Sequence, residues 1–359
     1  MDFGLSEEQE LLQETLRGFV SKECSASRLR EIFDAGVGHD SSLWSGLAEM
    51  GFAGLNIPEE YGGAGMEILD LALVCEVLGE SGVPVPFFGH VMASLALVQG
   101  GSDEQKSRWL PSLAAGEKIA SIALCEAEGE WNPEQWQCGV KGGRVFGSKS
   151  FVPSADVADL LVVGVAGGGL VLVETEAEGV RVENLDGIDR SRPVFRVEFD
   201  KAASSPLDAG GDVARTVSDA GLALLAADAF GAASRLIDLA VEYAKTREQF
   251  GQKIGQFQAV KHQIARLALD IEPSRALYWY GAYAVEHLPE DGARAAALAK
   301  SHITDRALSA ARAVVELHGG LGFTWECDVQ MGFKRLMFDR GFLGTPAVLR
   351  DRCAALAGW

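Results

Sequence analysis

A chain of 359 residues, 48% of them apolar, is long enough to bury a sizeable core and to divide into two or three domains. Its net charge of −19 weighs against nucleic acid and anionic membranes as partners, while leaving room for a local basic pocket around a phosphorylated ligand. Six cysteines, at positions 24, 75, 125, 138, 327 and 353, show no metal-type spacing, and no signal-like stretch opens the chain. They read as the reduced thiols of a cytoplasmic protein.

In chain order, Ser6-Glu7-Glu8-Gln9 is a capping-box pattern opening a helix with Leu12, Leu16, Phe19 and Val20 on one face. A glycine-rich connection, Met50 to Met66, leads to helical patterns over Ile68–Leu78 and His90–Gln99 and then to Gly101–Pro111. Residues 1–118 therefore read as a helical domain. From Ile119 the period becomes strand-like, with segments at Ala120–Leu124, Gln137–Val140, Arg144–Val152, Leu160–Val165, Leu170–Glu174 and Val194–Phe199. The longest apolar run, Leu160 to Val173, is broken by Gly167, Gly168 and Gly169 and is too short to span a bilayer, so it predicts two strands and a turn. Residues 119–210 read as a small β-domain. The helical period returns after Gly211 and persists to the end, interrupted at Pro289 and Gly319–Gly322, which predicts a four-helix bundle over 211–359. The expected fold is α+β multidomain: a helical domain, a small β barrel or sandwich, and a helical bundle.

The stretch Thr246–Gln263 organises the chain. A helical pattern through Ala233, Leu236, Ile237, Ala240, Val241 and Ala244 runs into it, and another leaves through Val260, Ile264, Leu267 and Ala268. The spacing predicts a helix, a tight turn and a second helix. Arg247 offers a planar fork of donors for phosphate, Phe250 a cover for a flat ring, and Gln258 an amide for its polar edge. The residues alone equally fit a polar turn with Phe250 tucked into the core. His318-Gly319-Gly320-Leu321-Gly322-Phe323-Thr324-Trp325-Glu326 frees backbone donors for a ligand, or equally caps a helix. The six histidines form no ligand cluster: His262, His302 and His318 read as packing or hydrogen-bonded residues. Tyr278-Trp279-Tyr280 reads as core, or as an interface or channel lining.

The pattern Arg-x-x-Phe-Gly-x-x-Ile-x-x-x-Gln resembles the signature of the acyl-CoA dehydrogenase family, and Met50–Met66, Gly101–Pro111 and the Gly319–Glu326 run extend the likeness over nearly the whole chain. The form Gly-Phe-Thr-Trp-Glu looks most like subunits of the heteromeric α2β2 enzymes of bacterial steroid side-chain degradation. The resemblance implies that Arg247, Phe250 and Gln258 reach across a subunit interface to the pyrophosphate and adenosine end of a partner's FAD, with Gly319 and Gly320 against the same cofactor and Thr345 as a further contact. It implies an acyl-CoA substrate and an electron-transfer flavoprotein as electron acceptor. Nucleic acid and membrane remain excluded as partners.

Two parts of the chain depart from the family pattern. The usual Thr-Glu-Pro and Gly-Ser-Asp stretch reads Cys125-Glu126-Ala127-Glu128-Gly129-Glu130-Trp131-Asn132, and the usual Trp-x-Thr-Asn strand end reads Phe151-Val152-Pro153-Ser154. A hydroxyl is lost at Cys125, a proline stands near the expected place of the flavin N5, and three carboxylates crowd the loop. The family's catalytic glutamate falls at Leu343, before Gly344-Thr345; its alternative position falls at Gly221-Leu222. Asp219 and Asp228 lie near the latter. An ionised Asp228 inside an apolar helix needs a partner, whether a cap, Arg235 or a neighbouring helix, unless it serves as base. These departures predict a chain that contributes FAD contacts in trans and draws its base from a second acyl-CoA dehydrogenase-like subunit. The alternatives are a self-sufficient homotetramer with Asp228 or Asp219 as base, and a flavin-free scaffold or acyl-CoA-binding subunit.

Overall fold

The computed structural model describes residues 4–36, 38–207 and 211–359, and omits the side chain of Glu128. Helices α1 (Glu7–Glu23), α2 (Ala26–Ala35), α3 (Ser41–Glu49), α4 (Ile68–Ser81), α5 (Phe87–Gly100) and α6 (Asp103–Ala114) come first. Eight strands follow: β1 (Ala120–Ala123), β2 (Gly139–Lys141), β3 (Arg144–Pro153), β4 (Leu160–Val165), β5 (Gly169–Glu174), β6 (Val180–Asn184), β7 (Val194–Ala203) and β8 (Ser205–Pro206). Helix α7 (Gly211–Thr246) leads to a short hairpin, β9 (Glu248–Gln249) and β10 (Gln252–Lys253), and α8 (Gln258–Ile271), α9 (Arg275–His287), α10 (Gly292–Leu317), α11 (Val329–Gly341) and α12 (Pro346–Leu356) complete the chain. The order is thus helices, sheets, helices. The expected strand-to-helix boundary at 210 falls on residues 208–210, outside the described residues. Packing divides the chain into two units, Met1–Leu29 with Ala72–Val83 and Leu222–Trp359, and Arg30–Leu71 with Pro84–Gly221.

In the second unit the strands form two open four-stranded sheets, β1-β4-β5-β8 and β2-β3-β7-β6, rather than a closed barrel. β4 is buried along its whole length, as its unbroken Leu-Leu-Val-Val run requires. β3 pairs with β7 through two register shifts, and its Val145 and Val152 join Leu161, Val163, Val197 and Phe199 in the core. β6, whose Val-Arg-Val-Glu-Asn is mostly exposed, lies at a sheet edge. His90, fully buried on α5, ties the helices to the sheet: its Nε2 donates to Ala53 O (3.1 Å), its Nδ1 accepts from Ala120 N (3.3 Å), and Trp44 packs edge-on against it.

In the first unit α4 crosses α7 at backbone contact. A Cβ at Gly79 would meet the carbonyl of Asp228, and one at Gly231 would meet the carbonyl of Glu76. Helices this close bury whatever polar groups flank the crossing, so those groups are paired. The Glu76 carboxylate, 3% exposed, accepts from Gln13 Nε2 (3.0 Å), Arg275 Nη1 (2.6 Å) and the Tyr278 hydroxyl, joining α1 and α9 to α4. Arg275 also covers the Phe230 ring. Asp228 receives both guanidinium arms of Arg335 from α11, at 2.7 and 2.6 Å. By length and composition Asp212–Thr246 would pass as a membrane span, but 89% of its most apolar window is buried inside the protein.

Two outcomes follow from these contacts. Gly231→Ala forces the α4 and α7 backbones apart and lowers stability by about 3 kcal/mol, read by urea denaturation. Burial lowers the His90 pKa from 6.5 to about 4, although its bonds to backbone oppose the shift. The neutral ring is therefore the folded form, and its stabilisation is complete above pH 6.5 and lost as pH falls toward 4, by roughly 3 kcal/mol. In His90→Gln the stability curve is flatter over that window.

Candidate functional site

The Thr246–Gln263 stretch is a helix, a hairpin and a helix, rather than a plain turn between helices. Phe250 and Gly251, the two residues linking β9 to β10, both have positive φ (55° and 78°). That pairing matches the right-handed twist of a two-residue hairpin and explains the glycine. The hairpin is closed at its base by Ile254 N donating to Arg247 O (2.8 Å). Phe250 is 93% exposed at the tip, edge-on to Phe257 at 6.2 Å, so it is not a core residue. Arg247 and Gln258, the first residue of α8, are exposed as well.

The glycine turn, Gly319–Phe323, follows α10 and is tied to the hairpin's helix. Tyr243, on the last turn of α7, stacks on His318 at 4.4 Å and donates to His318 O (3.4 Å), while His318 Nδ1 donates to Val314 O (2.8 Å). Gly319 and Gly320 are exposed, and a Cβ at either would touch nothing in this chain. The positive φ of Gly319 (60°) accounts for that glycine; internal packing does not account for Gly320. Sequence reasoning missed Tyr243, whose position one turn before the hairpin was the available signal.

Leu343 is buried, and with a φ of 56° it occupies the left-handed region, so the position holds an apolar side chain on a strained backbone. Gly344 follows at φ 105°, and Thr345 is the exposed N-cap residue of α12. Beneath this loop lies Lys300, 0% exposed on α10, donating to Gly344 O (2.7 Å) and Arg340 O (3.4 Å). Burial brings its pKa down to about 7 against the opposing pull of Asp339. Lys300 stands on the same face as Ala296, Ala297, Ile303, Thr304 and Ala307, all buried. A lone lysine among small apolar residues at helical spacing is the pattern that could have flagged it.

Neither aspartate offers a free base. Asp228 is 6% exposed and bound bidentately by Arg335; Arg235, its other candidate partner, pairs with Glu242 instead. Asp219 is buried on the same helix nine residues earlier, which at 3.6 residues per turn places it about 180° around the axis from Asp228, so the two cannot serve one site. Tyr278 is committed to Glu76, and Tyr280 is half-exposed and donates to Asp291 (2.6 Å).

In the β-domain the loop after β1 is pinned from within. Glu126 is buried and accepts from Lys149 Nζ (2.7 Å), Gln137 N (2.7 Å) and Cys138 N (2.8 Å). Burial opposes its ionisation, but these donors together hold the carboxyl below its ordinary range. Glu126 therefore does not crowd the outer face of the loop, contrary to expectation; Glu130 accepts from Asn132 N, and the side chain of Glu128 lies outside the described residues. Cys125 is buried with its thiol on Glu126 O, and burial pushes its pKa up to about 12, leaving it unreactive.

The order of domains and the paired hairpin and glycine turn define an acyl-CoA dehydrogenase-type flavoprotein fold. The comparisons with known proteins agree. Residues 6–117 match the family described as acyl-CoA dehydrogenase, N-terminal domain, and residues 208–357 match acyl-CoA dehydrogenase, C-terminal domain. Acyl-CoA dehydrogenase IpdE2 of Mycolicibacterium smegmatis is 35% identical over 95% of this chain and 96% of its own. Among solved structures, the Tcur3481-Tcur3483 steroid ACAD superposes with a TM-score of 0.92 at 30% identity, covering 98% of each chain. The ChsE4-ChsE5 complex from Mycobacterium tuberculosis superposes at 0.89 with 28% identity, covering 100% of this chain and 99% of that one. The chain belongs to the acyl-CoA dehydrogenase family, a family of FAD-dependent oxidoreductases.

The geometry of Asp228 has a measurable consequence. Asp228→Asn leaves the Arg335 guanidinium buried without its countercharge, and stability falls by about 3–5 kcal/mol in chemical denaturation. A catalytic aspartate would instead give a well-folded, inactive protein.

Proposed function

We propose that this chain is one subunit of a heteromeric acyl-CoA dehydrogenase, completing an FAD site held mainly by a companion subunit of the same family. The observation that carries the reading is the pairing of an exposed phosphate-type fork and aromatic tip, Arg247 and Phe250, with a buried leucine at the family's base position. An aromatic side chain 93% exposed on a hydrogen-bonded hairpin costs solvation unless another surface covers it. In this reading Arg247 binds the phosphates with two parallel donors, Phe250 covers the flat end of the cofactor, and Gln258 satisfies its polar edge. Gly319 and Gly320 let the backbone come close, and Thr345 adds a hydroxyl contact. When bound, the flavin supplies the hydride acceptor for oxidation between the α- and β-carbons of an acyl-CoA. The companion supplies the carboxylate that removes the α-proton, because Leu343 cannot.

The relatives' names support a bulky, steroid side-chain type of acyl-CoA as substrate, giving a 2,3-enoyl-CoA. They equally support assembly from two different chains. Electrons would pass to a soluble electron-transfer flavoprotein. The self-sufficient reading loses Asp228 as its base, because Arg335 occupies that carboxylate.

Expression of the chain alone and together with a neighbouring acyl-CoA dehydrogenase-like gene tests this. The lone chain is expected to be colourless, and the co-purified complex yellow and active with dye on a steroid-derived CoA thioester. A lone chain that is stoichiometrically yellow and turns over sinks the proposal, and a colourless, unassociated pair favours the scaffold alternative. In the complex, Arg247→Ala should weaken flavin retention by roughly tenfold or more, the loss of a charge-assisted hydrogen bond, read by absorbance after gel filtration.

A further inference from the structure

The β-domain carries the two segments that in relatives touch the flavin ring, residues 125–132 and 151–154, and here they meet each other. Trp131, half-buried, lies stacked on Phe151 with ring centroids 6.5 Å apart and planes at 28°. We propose that this face of the chain is closed to flavin by its own side chains, with Trp131 occupying the aromatic surface of Phe151 that a flat cofactor would need. The inference rests on the reading above, in which the chain serves a flavin held by its companion.

The closure is built, not incidental. Trp131 sits at the end of a turn fastened on its inner side by the buried Glu126, which holds Lys149 and the Gln137 and Cys138 amides. Lys149 in turn donates to Leu124 O and lies over the Trp136 ring at 4.6 Å. Glu126 N donates to Glu130 O (3.0 Å), and Asn132 N, just after the tryptophan, donates to the Glu130 carboxylate (2.8 Å). The backbone on both sides of Trp131 is therefore fixed.

The polar groups a flavin would use are also spent. Pro153 has no N–H, and its carbonyl accepts the Ser121 hydroxyl; Ser154 N donates to Pro193 O (3.0 Å). Ser150 N donates to Cys125 O (2.8 Å), which laces the two segments together, and the Cys125 thiol points to Glu126 O. Phe151 and Ser154 hold left-handed conformations (φ 54° and 49°), so the strand end cannot relax by small rotations to present new donors. A proline in place of a donor and a buried thiol turned to Glu126 O together remove two polar groups from the surface that a flavin edge would meet.

The complex with the companion subunit, purified with bound FAD, provides the test. If Trp131 closes the site, Trp131→Ser leaves the FAD content per complex at the wild-type value or above it. The emission lost on Trp131→Phe is then the same in the apo and FAD-loaded complexes. If instead Trp131 stacks on a bound flavin, Trp131→Ser weakens flavin retention by about tenfold, the loss of one aromatic stack, and loading quenches the Trp131 emission. Either result overturns the closure. Trp131→Phe keeps an aromatic ring in the loop, so the emission comparison stands even where Trp131→Ser folds poorly. Arg247→Ala is measured alongside: retained flavin there with unchanged flavin in Trp131→Ser refutes the trans contact while leaving the closure intact.

Discussion

The helical unit depends on one close crossing, α4 over α7. Two glycines bring the helix backbones into contact, and this proximity withdraws the flanking carboxylates, Glu76 and Asp228, from water. A buried carboxylate is tolerated only when its lone pairs are satisfied. Gln13, Arg275 and Tyr278 converge on Glu76, and Arg335 closes on Asp228. The glycines thus determine more than a helix distance. They create a demand for hydrogen-bond donors that recruits α1, α9 and α11 to fixed places around α7, the helix that ends at the hairpin.

The segments that the family resemblance marks for a flavin differ in exposure. On the helical unit the side chains able to meet a cofactor are exposed: the fork of Arg247, the ring of Phe250 and the bare backbone of Gly320. On the β-domain residues 125–132 and 151–154 are bonded to each other, with Cys125, Glu126, Val152, Pro153 and Ser154 buried and Phe151 exposed. Burial of Lys149 lowers its pKa while Glu126 pulls it back up, and that pair holds the inner side of the loop as a structural post rather than a ligand site.

Much of this was legible in the sequence, for identifiable reasons. The Ser6–Gln9 capping box forms as expected, because it is a local pairing of side chain with backbone. Strand β4 has its expected bounds, because an apolar run between glycine and aspartate turns has few other solutions. The hairpin at 248–253 was read as a bare turn because strands of two residues carry no periodicity; only the Phe-Gly pair marked it. The sequence shows the charge of Glu126 but not its partner Lys149, 23 residues away, which turns it inward. Arg335, 107 residues from Asp228, is hidden for the same reason. Long-range pairing of buried charge is what composition and spacing cannot show.

Backbone strain gives an independent view of the same segments. Among the described residues five non-glycines adopt positive φ: Phe151, Ser154, Lys201, Phe250 and Leu343. Each costs roughly 1–2 kcal/mol and persists only where its surroundings over-determine it. Four of the five fall on the strand end, the hairpin tip and the base-position loop, the three places marked out by sequence. At Leu343 the conformation is held from below by Lys300 on the Gly344 carbonyl, although the side chain displayed there is apolar and buried. A loop freed of any functional demand gains stability by relaxing such strain, and its supporting lysine, buried at a cost in desolvation, gains by becoming apolar. Neither has happened. The strained turn and the buried lysine beneath it therefore stand together, with the Gly344 carbonyl fixed by Lys300.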